Sequence, residues 1–246
     1  YTLAGEARDY WYTNCGPQAT DPETNIAPVH GDNFDEAWIP TTMWYHDHAM
    51  DVTGYNVIKG LAGFYLIVSE REDELASRGV IPEPGGDYDL GLAFIDRRFN
   101  ADGTISYDFL DHNGRLGNVF SVNGKLQPYL EVGKGKYRFR FLNASNARIY
   151  HLALAPDKDN LSSVDELAFV QIGQDTWELD TAVERPDFTI TMAQRVDVIV
   201  DFSKFEVGDV VWLNNVMEQA NGRKPKGVDF SEPTPLVKFI VTDQEV

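Results

Sequence analysis

Past residue 88 the chain is written almost entirely in short apolar or alternating stretches, each closed by turn residues, and this rhythm constrains the fold more than any other feature. The stretches run over 88–97, 137–142, 149–154, 169–172, 189–192, 196–202, 210–213 and 236–241. Asn123-Gly124 stands between 119–122 and 126–132, the strongest short signal for a two-residue hairpin turn. Asn100-Ala101-Asp102-Gly103 marks another turn. Only 71–78 (Arg-Glu-Asp-Glu-Leu-Ala-Ser-Arg) reads as helix, stopped by Gly79, while 50–60 reads as a loop or short helix closing on Gly60. Many short strands with almost no helix predict an all-β chain, a β-sandwich or Greek-key barrel. In Tyr137-Arg138-Phe139-Arg140-Phe141-Leu142 the aromatics predict a core face and the two arginines a solvated one. Asp96-Arg97-Arg98 reads most simply as a surface ion-pair cluster, with pairing across the domain interface as the alternative. At 246 residues there is room for one large or two medium domains, and the Pro- and Gly-rich stretch 81–86 places a boundary.

The formal charge of −18 excludes nucleic acid and anionic membrane surfaces as expected partners, because neither attracts such a field. No apolar run approaches the length of a membrane span. Cys15 is the only cysteine, so no internal disulfide forms. The chain opens at Tyr1 without an initiator Met or a basic-then-apolar leader, which predicts a processed, trimmed or incomplete polypeptide.

Chemistry concentrates in Trp44-Tyr45-His46-Asp47-His48-Ala49-Met50, read as a strand that follows Pro40-Thr41-Thr42 and precedes the apolar run 61–68. On a strand, residues two apart share a face, so His46 and His48 point one way and Asp47 the other. Two neutral imidazoles side by side suit copper, zinc or iron, and the pair alone does not choose among them. Two ordinary, hydrogen-bonded strand histidines satisfy the same pattern. His30, followed by Gly31, is by itself an ordinary loop histidine.

The same segment, with Asn56-Val57 and Gly60-Leu61-Ala62-Gly63-Phe64-Tyr65-Leu66-Ile67, closely resembles a signature of the multicopper oxidases, in the branch of spore-coat laccases, bilirubin oxidases and phenoxazinone synthases. Asp96-Arg97-Arg98-Phe99, Val122-Asn123-Gly124-Lys125, Pro128-Tyr129-Leu130-Glu131-Val132, the run 136–146 and the run 193–201 extend the likeness to about residues 26–243. The resemblance implies cupredoxin-like Greek-key β-sandwiches: residues 1–80 as part of a first cupredoxin domain and 81–246 as the second. It implies one-electron oxidation of a small reducing substrate coupled to four-electron reduction of dioxygen to water. His46 and His48 match the family's second His-x-His motif, one imidazole for each copper of the type 3 pair in a trinuclear cluster. His30 matches the second histidine of the first motif, also a type 3 ligand. Family members are typically exported or found on spore surfaces, so export is the implied compartment.

The chain departs from the pattern as well. Pro28 stands where the family's opening motif has a type 2 copper ligand, and a proline side chain cannot ligate. Between His30 and His46 the family carries a longer stretch with strands absent here, which predicts either deletion or a sequence joined from pieces that are not contiguous. His112 and His151 match no ligand motif, and the third cupredoxin domain with its type 1 copper site has no counterpart before Val246. Cys15 has no histidine beside it and matches no ligand motif. The resemblance therefore implies that a missing third cupredoxin domain, or another chain, completes the copper site. Two other readings stand: a cupredoxin-like structural or interaction module that has lost copper, and a zinc or iron hydrolase using His46, Asp47 and His48. The hydrolase requires Asp47 to turn onto the histidines' face.

Overall fold

The structure, a computed structural model, describes residues 6, 7, 9, 42–111, 114–159, 168–228 and 233–246. Its first strands, β1 (Thr42–His46) and β2 (Ala62–Leu66), form an antiparallel pair joined by a loop and helix α1 (Thr53–Ile58). Helix α2 (Glu70–Ser77) follows, then β3 (Asp89–Arg97), β4 (Val119–Val122), β5 (Lys125–Leu126), β6 (Tyr129–Val132), β7 (Lys136–Asn143) and β8 (Tyr150–Ala155). The remaining strands are β9 (Phe169–Gln174), β10 (Trp177–Arg185), β11 (Asp187–Ile190), β12 (Arg195–Asp201), β13 (Val210–Asn215), β14 (Met217–Asn221), β15 (Lys224–Val228) and β16 (Thr234–Val241).

Two sheets face each other. One runs in the order β10-β9-β12-β7-β3-β4-β5 and the other β11-β8-β13-β16-β6. Most neighbours are antiparallel, but β3 lies parallel to β7 and β6 parallel to β16, so the chain returns by long crossovers instead of hairpins. This is the cupredoxin-like Greek-key β-sandwich. Its core interdigitates Phe94, Phe139, Phe141, Phe169, Leu152, Leu213 and Phe239 from both sheets. Phe139 stacks along Phe141 at 6.1 Å, as i and i+2 residues of one strand must.

Most expected strands are present, with instructive differences. The Asn123-Gly124 turn forms, with both residues at positive φ and Val122 opposite Lys125. The strand expected over 126–132 breaks at Gln127 (φ 40°) and Pro128, where the chain leaves one sheet for the other. Strands β10 and β14 escaped the sequence reading because both are largely exposed and polar. Helix α2 carries the capping signal in full: Ser69 Oγ accepts from the Glu72 amide while the Glu72 carboxylate accepts from the Ser69 amide.

The largest correction concerns the arginines of β7. Arg138 and Arg140 are 2% and 0% exposed, not solvated. Their face of the sheet is roofed by the β1–β2 pair and α2, which bring their own partners. Arg140 holds Asp89 of β3 through Nε and Nη2 at 2.7–3.0 Å. Arg138 reaches Glu72 of α2 and Asp197 of β12. Thr42 of β1 donates its hydroxyl to Asp197 and accepts from Arg140 Nη1 at 2.8 Å. Burial pulls the Arg138 guanidinium down, but Asp197, Glu72 and Asp89 outweigh it and hold it above its ordinary range. Asp96 is likewise buried, paired with Arg148 at 3.1 Å. Arg97 is half-buried and donates to the Ile58 carbonyl and Ser121 hydroxyl. Neither residue forms the surface cluster expected of them.

Candidate metal centre

The histidines sit where the β1–β2 pair ends. His46 is the last residue of β1, and the strand expected to continue to residue 50 gives way to a turn at Asp47. The reason is local: the Asp47 carboxylate accepts the Ala49 amide at 3.1 Å, a side-chain turn that competes with strand pairing. The same oxygen accepts from the Asn56 side chain at 3.0 Å, so α1 is tied back to the turn. The Asp47 amide still donates to Leu61 at 3.0 Å.

Despite this break the two rings stay together. His46 and His48 stack with centroids 5.8 Å apart and planes inclined by 27°. Trp44 packs on the other side of His46 at 4.5 Å. His46 is half-buried and His48 exposed. His46 Nδ1 lies 2.6 Å from the Asp47 carbonyl oxygen. A carbonyl can only accept, so the proton is on Nδ1 and Nε2 carries the lone pair a metal would use. Beside His46 opens a cleft of about 420 Å³, bounded by Trp44, Tyr107, Asp111, Arg115 and Met192. Arg115 lies 3.7 Å from both Asp108 and Asp111, so the cleft's charges are paired across its rim.

Among the described residues, no group of three or more His, Cys, Asp or Glu side chains could hold a metal ion. The donor set here is two imidazoles, with the intervening carboxylate committed elsewhere. That fits a share of a larger copper cage and does not fit a closed three-ligand zinc or iron site. His30, Pro28, Cys15 and His112 lie outside the described residues. His151 lies on β8 beside a different cavity, with Nδ1 2.8 Å from Thr189 Oγ1 and Nε2 3.1 Å from Asp187. Asn56 is the residue the sequence reading missed as part of the site. It stood in the matched signature, but nothing in its type or spacing pointed to Asp47.

No family model matches the chain. Individual relatives do. A laccase of Bacillus stratosphericus is 36% identical over 227 residues, covering 77% of this chain and 42% of the relative. The bilirubin oxidase of Albifimbria verrucaria is 32% identical over 202 residues, covering 82% of this chain and 34% of its own length. Among solved structures, the McoA multicopper oxidase of the hyperthermophile Aquifex aeolicus superposes with a TM-score of 0.70 at 29% identity, over 95% of this chain and 49% of that one. The chain thus spans roughly two fifths of the curated relatives it matches.

Proposed function

Because the chain belongs to the multicopper oxidases, we propose that it contributes part of a trinuclear copper site, with His46 and His48 each serving one copper of a type 3 pair. His30 is the third ligand of this reading. The observation that carries it is the stacked imidazole pair, 5.8 Å between centroids, with His46 Nδ1 engaged by the Asp47 carbonyl at 2.6 Å. Copper supplies the one-electron chemistry; the chain's own part is to present two nitrogens side by side and keep Asp47 out of the ligand set. The whole protein then couples oxidation of a small reducing substrate to four-electron reduction of dioxygen to water. Residues 1–80 act as part of a first cupredoxin domain and 81–246 as the second, and the remaining ligands, with the type 1 copper, come from a third cupredoxin domain or another chain. Export is the compartment this reading carries, by analogy with the laccases. No helix among the described residues is long and apolar enough to cross a membrane.

The hydrolase reading loses support from Asp47, whose carboxylate oxygen is taken by Ala49 and Asn56. The test is metal analysis with an intact mass on the full-length protein as its source makes it, beside His46→Ala and His48→Ala. Copper in the parent, lost from both variants together with dioxygen uptake on a phenol, is the expected result. A parent that takes up no copper, with its near-ultraviolet and visible spectrum unchanged by copper titration, would instead mark a module that has lost its metal. Unaltered copper content in both variants would overturn the ligand assignment.

A further inference from the structure

Asp47 is tied to its surroundings at every polar group it has. Its amide donates to Leu61, its carboxylate accepts from Ala49 and Asn56, and its carbonyl accepts the His46 ring proton. The bond from Ala49 straddles His48, so the turn that it closes fixes the backbone from which the second imidazole projects. Asn56 is equally anchored. Its amide donates to Val52 at 3.0 Å within the first turn of α1, and its carbonyl accepts from Leu61 at 3.1 Å. Leu61 thereby closes the loop, bonded to Asp47 through its carbonyl and to Asn56 through its amide.

We infer that Asp47 and Asn56 are positioning residues, a clamp that sets the tautomer of His46 and the direction of His48. The clamp acts through backbone: the Asn56 side-chain amide holds the Asp47 carboxylate, the carboxylate holds the 47–49 turn, and the turn aims the carbonyl at His46 Nδ1. A ligating imidazole is oriented by what its other nitrogen bonds, and loss of such a partner costs about 10–100-fold in metal affinity. Here the partner is a main-chain carbonyl, which no substitution at 47 removes, so the side chain's part is to aim it. The inference rests on His46 and His48 being copper ligands, yet its structural half can be tested without metal.

The experiment uses the full-length protein with 15N-labelled histidine, stripped of metal and then reloaded with copper. In the stripped parent, imidazole nitrogen shifts should report His46 as the Nδ1–H tautomer. Asp47→Ala should mix the tautomers and weaken copper binding about 10–100-fold, and Asn56→Ala should do so to a smaller extent. Asp47→Asn alone should keep both readouts close to those of the parent. Its side-chain oxygen can still accept from both the Ala49 amide and the Asn56 side chain, as the single Asp47 oxygen does. A His46 tautomer and copper affinity unchanged in both Asp47→Ala and Asn56→Ala would overturn the clamp. A parent that shows the tautomer but binds no copper would overturn the copper assignment alone. If Asp47→Ala does not fold, Asn56→Ala and Asp47→Asn decide the matter, since both leave the 47–49 turn its acceptor.

Discussion

Arg140 is 0% exposed, and its guanidinium spans Asp89, Asp197 and Thr42. Removing this guanidinium leaves the buried Asp89 carboxylate without water, with only the Gly85 amide and Arg138 Nε, 3.9 Å away, to offset its charge. Arg140→Met should therefore lower the unfolding free energy by about 3–5 kcal/mol, read from denaturant midpoints with an unchanged slope. Glu178 at the cluster's edge behaves oppositely. Burial, and then Glu72, raise its carboxyl above the ordinary range, while Ser69, Arg71 and Arg138 pull the other way. A raised folded-state value means that folding takes up protons, so Glu178's contribution is fullest below the ordinary carboxylate range and is lost as pH rises through the raised value. Glu178→Gln should accordingly melt higher than the parent at neutral pH. That gain should vanish near about pH 4, where the parent's carboxyl is protonated too; a gain that persists there would contradict the assignment.

The β1–β2 pair shows how an element is held by shape as well as charge. Phe64 of β2 packs against Gly91 of β3, where an added Cβ would come within 2.6 Å of the ring. Trp44 and Phe64 pack with Ile58, Ile95, Leu142 and Ala144 in a small second core. Gly91→Ala should lift this pair at a cost of about 1–3 kcal/mol, visible as a shift in the fluorescence of Trp44 before the main transition. Much of the element pattern was legible in the sequence: the Asn123-Gly124 hairpin, the α2 stop at Gly79 and the apolar strands of the sandwich. The character of β7 was not. Its alternation of arginine with aromatic obeys the rule for a half-solvated strand, and the partners that overturn it lie 51–98 positions away. The candidate site divides the same way. His46 and His48 announce themselves by spacing, whereas the pairing of Asp47 with Asn56 depends on a loop path that no local pattern encodes.

Over the whole molecule, a net charge of −18 sits on a sandwich whose best-paired charges are inside. Surface self-repulsion opposes compactness and is screened by salt, with a Debye length of about 10 Å at about 0.1 M. Raising ionic strength should therefore raise the melting temperature of the parent, while the penalty of Arg140→Met stays nearly constant because its surroundings exclude ions. A penalty that shrank steeply with salt would place that cluster in contact with solvent. The parallel pairing of β6 with β16 has a consequence of another kind. During synthesis Tyr129 leaves the ribosome long before Lys238, the residue it stands opposite, so the second sheet stays open along β6 until β16 has emerged. Late closure of so distant a contact slows folding and leaves the backbone edge of β6 unpaired meanwhile, so the second sheet is completed late in synthesis.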